Sequence, residues 1–513
     1  MARARNLAKD LAFLALCCLP IWFSLGNHSI HGDSEARYGI IARAMAEGDS
    51  PWLVPHYFDR PHLTKPPGNY WLMAASIRLL GDGERALRLP AALSGTLTLL
   101  LCFALTTRLY GPTVARHATA LLAVTPLAIG VSRLGITDGP LSLCLNLGLA
   151  CGVMLTCHDK LWIRSTLWLS VAAGLWIKGP AALLGPAALL LSQISTRWPE
   201  ASPTPLPADH SNALPPPPCF RKPKLGWAWG LPLACLPLIG WGIWIALHRP
   251  EAWAIWDYEL LDRAAGTGDH PEPWWFFAPV LLLGLLPSTA LLLGVLARWA
   301  IARVKAHSTN PPLSQPIPQS NANHVVNKLW IIFIVLLFVL FSLISGKLIS
   351  YLAPLAMPAA ILAAQTMHRK HKTRSQNVWV LAIVVPCCFV FAILAELAED
   401  HILHPTPRDL VYLVQQRTGL TEPRILTVGF GDRALAYYSR QPTGWTDPRL
   451  TRELWDRLPR RQVVILADPA AWQGFVESPT FDPTLRYDQQ DWHFPLPGGG
   501  QGDAYRIRPE HWR

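Results

Sequence analysis

The chain has 513 residues, of which 51% are hydrophobic and only 15% charged, with 23 tryptophans. Soluble domains carry about 25% charged residues, so composition excludes an ordinary soluble enzyme and points to a membrane protein. The formal charge of +11 does not argue for nucleic acid, because Lys and Arg are scattered between apolar runs, as in the cytoplasmic loops of a spanning protein.

A bilayer span takes about 20 largely apolar residues. Eleven runs qualify, at roughly 11–27, 85–107, 117–134, 138–157, 161–177, 179–196, 226–248, 274–297, 329–346, 348–366 and 377–398. The first has no small-residue cleavage site and reads as a retained span rather than a signal peptide. The run 68–80 is too short and carries Arg78, so an interfacial helix is expected there. With the N-terminus inside, every cytoplasmic segment is basic, among them Arg108 and Arg116, Lys160 and Arg164, Arg221 to Lys224, and "HRKHKTR" at 368–374. An odd number of spans then puts the C-terminal segment outside. The ten cysteines have neither CxxC nor Cys/His metal spacing and lie mostly in apolar runs, so they read as small hydrophobes rather than a disulfide frame.

Two Pro- and Ser-rich stretches within 199–224 and 306–327 read as disordered cytoplasmic linkers. Residues 1–398 form the transmembrane domain on this reading, with a first external loop at 28–84. After residue 398 hydrophobicity falls; "RILTVGF" (424–430) and "RQVVILAD" (461–468) read as buried strands and "RDLVYLVQQR" (408–417) as a helix. A small external α/β domain over 399–513 follows.

The uncommon charges then collect on the external side: Asp33, Glu35, Arg37, Lys65, Arg133, Asp138, Lys178, Asp257, Glu259, Arg263 and Lys347. Charge near a membrane is costly, so a convergent set marks a functional site. Each has a plainer reading. Asp33 or Ser34 could cap the helix "EARYGIIARAMAEG", whose apolar stripe suits it to lie on the bilayer, with Arg37 an i,i+4 partner. Lys65 and Lys178 could be span-end anchors, and Asp138 an N-cap.

The first external loop carries, in order, "GDSEARYG", "WLVP", "TKPPG" and the Arg88-x-Pro90 step into the second span; downstream follow "RLGITDGPL", "LWIKGPAAL", "HPEPWWFF" and "SGKLISYLAPLAMPA". This order resembles the lipid-dependent glycosyltransferases of the protein O-mannosyltransferase and aminoarabinose (lipid A) transferase superfamily, over most of residues 28–366. The resemblance implies the type C glycosyltransferase fold, a polyprenyl-phosphate sugar donor, and single inverting displacement onto a lipid or protein acceptor outside the bacterial inner membrane. It implies Asp33 and Asp138 as the catalytic carboxylates. Arg37, Lys65, Lys178, Arg263, Lys347 and Tyr351 are implied at the donor phosphate. The aminoarabinose branch has glutamate just before the Lys-Pro lysine, where this chain has Thr64, which points away from aminoarabinose as the sugar.

Those residue types suit the chemistry. Fixed cations stabilise a phosphate leaving group in a poorly hydrated site, a tyrosine donates to its oxygens, and a carboxylate takes the acceptor's proton or orients it. No cofactor is implied with certainty, although Asp33 with Asp138 could hold a divalent cation. A transporter or flippase is the alternative, but its internal repeat and mid-span charges are missing from the sequence.

Overall fold

The computed structural model describes residues 2–30, 32–196, 221–257, 272–297, 321–368, 386, 390, 406–428, 433–441, 444–445, 463–476, 487–495 and 501–507. The run 377–398 and both Pro-rich linkers fall largely outside them, and Arg263 falls wholly outside.

Helix α1 (Ala2–Trp22) is followed by α2 (Asp33–Glu47), the short strands β1 (His56–Tyr57) and β2 (Arg60–Pro61), α3 (Gly68–Leu80) and α4 (Glu84–Tyr110). The run expected at 117–134 is two helices, α5 (Pro112–Ala123) and α6 (Pro126–Arg133), bent by 63°. Pro126 has no N–H to donate and forces Thr125 out of the helical region, to ψ 117°. Helix α7 (Asp138–Cys157) matches its run to the residue. Helices α8 (Leu161–Lys178) and α9 (Leu184–Ser195) are joined by a 3-10 turn, Gly179–Leu183. Gly179 sits at φ 63° and ψ −141°, where a side chain would be strained. A Cβ built on Gly174 would lie 2.8 Å from the Ala182 Cβ. Eight residues of straight helix would separate them by about 12 Å, so α8 and α9 double back as an antiparallel hairpin.

Next come α10 (Trp227–His248), α11 (Glu251–Asp257), α12 (Phe277–Gly284) and α13 (Ser288–Ala297). The last two are bent by 101°. Helix α14 (Asn321–Leu343), a 3-10 turn (Ile349–Leu355) and α15 (Ala356–His368) complete the apolar part. The C-terminal segment adds α16 (Pro407–Thr418), β3 (Arg424–Val428), α17 (Ala434–Ser439), β4 (Gly444–Trp445), β5 (Val463–Ala467), α18 (Pro469–Val476), β6 (Tyr487–Pro495) and β7 (Gln501–Ile507).

Among the described residues, six stretches are long and apolar enough to cross a membrane, or eight if each bent pair is one span. One of these, Leu161–Ser195, is the α8–α9 hairpin and holds two of the expected runs. Of the eleven expected runs, that leaves α1, whose apolar part is short, and 377–398.

Two compact units emerge. The first comprises Met1–Phe23, Leu63–Asn69 and Pro90–Phe389. Its centre is α7, buried along most of its length, where small residues allow close approach: a Cβ on Gly152 would meet Leu189, and one on Gly148 would meet Ser170. Asn146 ties α7 to the second 3-10 turn by donating to the Pro354 carbonyl at 3.2 Å. Arg133 donates to the carbonyls of Pro20, Ile21 and Phe23, which fixes the end of α1.

The second unit comprises Ser24–His62, Tyr70–Leu89 and Val390–Arg513. Its five-stranded sheet has the order β4-β3-β5-β7-β6, with β4, β3 and β5 parallel and β7 and β6 antiparallel. Helix α16 starts at a capping box, in which the Thr406 hydroxyl accepts from the Asp409 N–H and Asp409 accepts from Thr406. Its apolar stripe, Leu410, Val411 and Val414, packs on Ile425, Val464 and Leu466. Residues 24–62 and 70–89 fold with this segment. Arg43 of α2 pairs with Asp82 at 2.8 Å, donates to the Tyr437 carbonyl and covers the Tyr437 ring, while Arg440 reaches Glu47 and Asp82.

Helix α2 differs from the expectation of a helix lying on the bilayer: its buried residues include Glu35, Ala36, Tyr38, Ile41, Ala42, Arg43 and Met45. Its N-cap is Gly32, without a side-chain cap bond, so neither Asp33 nor Ser34 caps it. Apolar residues placed for a membrane surface are equally placed for packing inside a unit, and periodicity does not distinguish the two.

Candidate active site

In the first unit, three expected site residues meet. Asp138 is the first residue of α7 after the N-cap Thr137, where the helix dipole favours a carboxylate, and Lys178 is the last of α8, where it favours a cation. The fold-back at Gly179 brings the second to the first: Lys178 Nζ donates to Asp138 Oδ1 at 2.6 Å, with side chains only 13% and 8% exposed. Lys178 Nζ also lies 4.6 Å from the centre of the Tyr351 ring, within cation–π range. Tyr351 sits in the turn Ile349–Leu355 and is held by Phe277 and Phe341.

Lys65 reaches the same region through its neighbours. A Cβ on Gly179 would be 3.9 Å from Pro66, and one on Gly68 would sit 2.6 Å from the Trp176 carbonyl oxygen. Gly68 is therefore required for the Lys-Pro-Pro-Gly stretch to seat on the end of α8. Trp256 holds its start by donating to the Leu63 carbonyl. Lys65 itself is half-buried.

Lys347 differs from its expected role. It is buried, and Nζ donates to the carbonyl of Glu272 at 2.7 Å, with Ser345 O at 3.5 Å. The Glu272 N–H donates to Ser345 O at 3.1 Å. This is the geometry of a tether between two backbone segments.

In the second unit, Asp33 pairs with Arg433, Oδ2 to guanidinium, at 2.9 Å, rather than with Arg37 one turn on. Both side chains are substantially exposed, 53% and 37%. Arg37 has its Nε buried without a hydrogen-bond partner among the described residues, an arrangement that suits an anion. Tyr57 belongs to the group. Burial pushes its phenol up, while Arg433 and Arg37 pull it down and Asp33 pushes it up, so all four lie within electrostatic reach. Arg433 and Tyr57 carry no sequence signal: one comes from the C-terminal segment, the other from a two-residue strand.

Glu35, in the same motif as Asp33, has a different job. It is 2% exposed and receives two hydrogen bonds from Arg88, at 2.9 and 3.1 Å. Arg88 also donates to the carbonyls of Leu25, His28 and Ser29, so this fork gathers the first loop.

As for a divalent cation, Asp138 already faces Lys178 and Asp33 already faces Arg433. Among the described residues no group of three or more His, Cys, Asp or Glu could hold a metal. The donor set does not fit a cation, and no step is derived through one. Among the described residues, Cys17, Cys18, Cys102, Cys144, Cys151, Cys157 and Cys235 form no disulfide.

Apolar helices with a buried ion pair and a tyrosine gathered at the ends of spans define a multi-pass membrane protein with a polar site at its helix ends. Comparison with known proteins sharpens this. Residues 64–205 match the dolichyl-phosphate-mannose-protein mannosyltransferase family. The chain is 29% identical over 343 residues to the undecaprenyl phosphate-alpha-4-amino-4-deoxy-L-arabinose arabinosyl transferase of Edwardsiella ictaluri, covering 65% of this chain and 55% of that protein. It is 26% identical over 354 residues to the corresponding transferase 2 of Pseudomonas fluorescens, covering 67% of this chain and 53% of that one. The chain thus spans little more than half the length of these curated relatives. The crystal structure of ArnT from Cupriavidus metallidurans bound to undecaprenyl phosphate matches with a TM-score of 0.68 at 18% identity, covering 97% of this chain and 98% of that one. Its apo form matches with the same TM-score. The chain has the type C glycosyltransferase fold, and it is similar in sequence to protein O-mannosyltransferases over residues 64–205 and to aminoarabinose transferases over about two thirds of its length.

Proposed function

We propose that this protein is an integral-membrane glycosyltransferase that moves a sugar from a polyprenyl-phosphate donor to a lipid or protein acceptor. We assign its site to the external, periplasmic face of a bacterial inner membrane, with residues 1–398 as the transmembrane domain and 399–513 as the external one. The observation that carries the reading is the Asp138–Lys178–Tyr351 cluster, with the Lys65 stretch seated on the end of α8.

On this reading Lys178, Lys65 and Tyr351 receive the donor phosphate. As the bond from anomeric carbon to phosphate oxygen breaks, charge grows on that oxygen, and preorganised cations with a phenolic donor stabilise it without reorganising. Asp138 holds the Lys178 ammonium in place. Arg37 is assigned to anion binding by its Nε, which is buried without a hydrogen-bond partner among the described residues. Asp33, exposed and steadied by Arg433, takes the proton of the acceptor hydroxyl as its oxygen attacks the anomeric carbon. Attack from the face opposite the leaving phosphate inverts that carbon. Lys347 acts as a tether that holds the segment at Glu272.

The relatives' printed names include undecaprenyl phosphate-linked 4-amino-4-deoxy-L-arabinose, and an undecaprenyl-phosphate donor is carried over to this chain. Thr64 in place of glutamate favours another sugar. The test is mass spectrometry of envelope lipids and proteins from cells with and without the protein, together with transfer from undecaprenyl-phosphate sugars by the purified enzyme. One missing sugar mass, restored by the wild type and not by Asp33→Asn, supports the reading. No missing mass and no transfer from any such donor overturns it.

A further inference from the structure

The first unit gathers a second set of charges at the opposite end of the helices that carry Asp138 and Lys178. Helix α7 has 20 residues, which puts its far end about 30 Å from Asp138, the thickness of a bilayer core. There the turn after α7 meets the end of α4, the first turn of α8 and the segment 221–226 that leads into α10. Arg108 donates to His158 Nε2, Arg164 pairs with Asp159, and Lys224 Nζ lies 4.0 Å from the other Asp159 oxygen. Arg221 acts on the same carboxyl through space. Asp159 is the single carboxylate these cations share among the described residues, and Lys160, Arg221 and Lys222 make no ion pair there.

The cations of the last segment are held in place by its backbone. The Arg221 N–H donates to the Thr156 carbonyl at 3.0 Å, Gln193 donates to the Pro223 carbonyl at 2.6 Å, and Trp168 donates to the Leu225 carbonyl at 2.8 Å. Pro223 and Leu225 are buried, which leaves Arg221, Lys222 and Lys224 exposed. Like charges fixed side by side repel, and a bound anion relieves that repulsion.

Beside the cations the surface turns apolar. Leu161 and Trp162 open α8 at 65% and 63% exposed, and Trp229 in the first turn of α10 is exposed as well. A soluble polyanion makes no use of such a border. A phospholipid does, with its phosphate on the cations and its glycerol and chains against indole and leucine at the membrane boundary. Several cations around one carboxylate match a headgroup with more than one negative charge.

We propose that this cluster is a binding site for an anionic phospholipid, with a headgroup of two phosphates between Arg108 and the segment 221–224 and its acyl chains along Leu161 and Trp162. The site belongs to the leaflet opposite the proposed reaction centre, and it does not depend on the transfer reading.

Native mass spectrometry of the full-length protein, released from detergent with added lipid, tests it. The probes are tetraoleoyl cardiolipin, dioleoyl phosphatidylglycerol and dioleoyl phosphatidylethanolamine. One cardiolipin is retained, at least tenfold more tightly than phosphatidylglycerol, and phosphatidylethanolamine is not. Raising salt from about 0.1 M to about 0.5 M weakens the binding several-fold. Arg221→Gln combined with Lys224→Gln weakens it at least tenfold and, both side chains being exposed, leaves the lipid-free Tm unchanged. Should that variant melt early, Lys160→Gln, also exposed, weakens binding by a smaller factor at an unchanged Tm. Arg60→Gln combined with Arg417→Gln removes the same charge from exposed positions elsewhere and binds cardiolipin as the wild type does. Equal retention of the three lipids overturns the proposal, as does equal weakening in the two double variants. Unchanged cardiolipin binding in Arg221→Gln with Lys224→Gln, or in Lys160→Gln where that variant stands in, also overturns it. So does displacement of cardiolipin by a short DNA duplex at the same salt, which would make the patch a soluble-polyanion surface.

Discussion

Replacing Glu35 by Gln keeps the shape of the side chain and removes one charge from a fork that is almost wholly dry: the Glu35 and Arg88 side chains are 2% and 5% exposed. Breaking one partner of such a pair leaves an uncompensated guanidinium, a loss of about 3–5 kcal/mol. Three carbonyls still surround Arg88, those of Leu25, His28 and Ser29, and they soften the loss toward the lower figure. Asp33, a neighbour in the same motif, is 53% exposed and its pair with Arg433 is worth under about 1 kcal/mol. The two substitutions therefore separate folding from chemistry. Glu35→Gln lowers the Tm of the detergent-solubilised protein by roughly 10 °C, on a scale of about 2–4 °C per kcal/mol for a unit of this size. Asp33→Asn leaves the Tm within about 3 °C and abolishes transfer. Tryptophan-fluorescence melting measures both. A Glu35→Gln protein that melts with the wild type, or an Asp33→Asn protein that melts as low as Glu35→Gln, refutes the division of labour.

Tyr351→Phe keeps the stacking on Phe277 and Phe341 and removes only the hydroxyl. A hydrogen bond to a charged group is worth about 1.5–3 kcal/mol, so donor affinity or transfer falls roughly 10- to 100-fold, as read by donor titration. Lys178→Arg, which keeps a cation opposite Asp138, retains folding but misplaces the charge, and its kcat falls while its Tm holds. Lys347→Met lowers the Tm with less effect on donor affinity than Tyr351→Phe, because Nζ is spent on the Glu272 carbonyl. A Lys347→Met protein with wild-type Tm and lost donor binding would return Lys347 to the phosphate.

The apolar helices were legible because a span advertises itself by length. Helix α7 was found to the residue, and the α8–α9 hairpin was divided at Gly179. The bends were not, since Pro126 within an apolar run reads as part of one span until its missing N–H is placed in three dimensions. Asp138, Lys178 and Tyr351 are far apart in the chain, and only their likeness to known motifs joined them beforehand. Glu35 was unassigned for the complementary reason. Its partner Arg88 opens the next span, and a buried fork has no local pattern to distinguish it from two surface charges.

The pairing of Asp33 with Arg433 changes what the C-terminal segment is for. A domain that merely hung outside the membrane would leave the motif of the first loop complete in itself. Here the fixed ends of α2 depend on that segment at several points: Arg433 on Asp33 at its start, the Tyr437 carbonyl on Arg43, and Arg440 on Glu47 at its close. Exposed pairs like the first add little stability, so on the proposed function the role assigned to Arg433 is to orient Asp33 as the reacting carboxylate. Arg433→Ala is then expected to lower kcat at least tenfold with an unchanged Tm, and Arg433→Lys to recover part of it. If Arg433→Ala transfers sugar as the wild type does, the C-terminal segment supports the loop and takes no part in orienting its carboxylate.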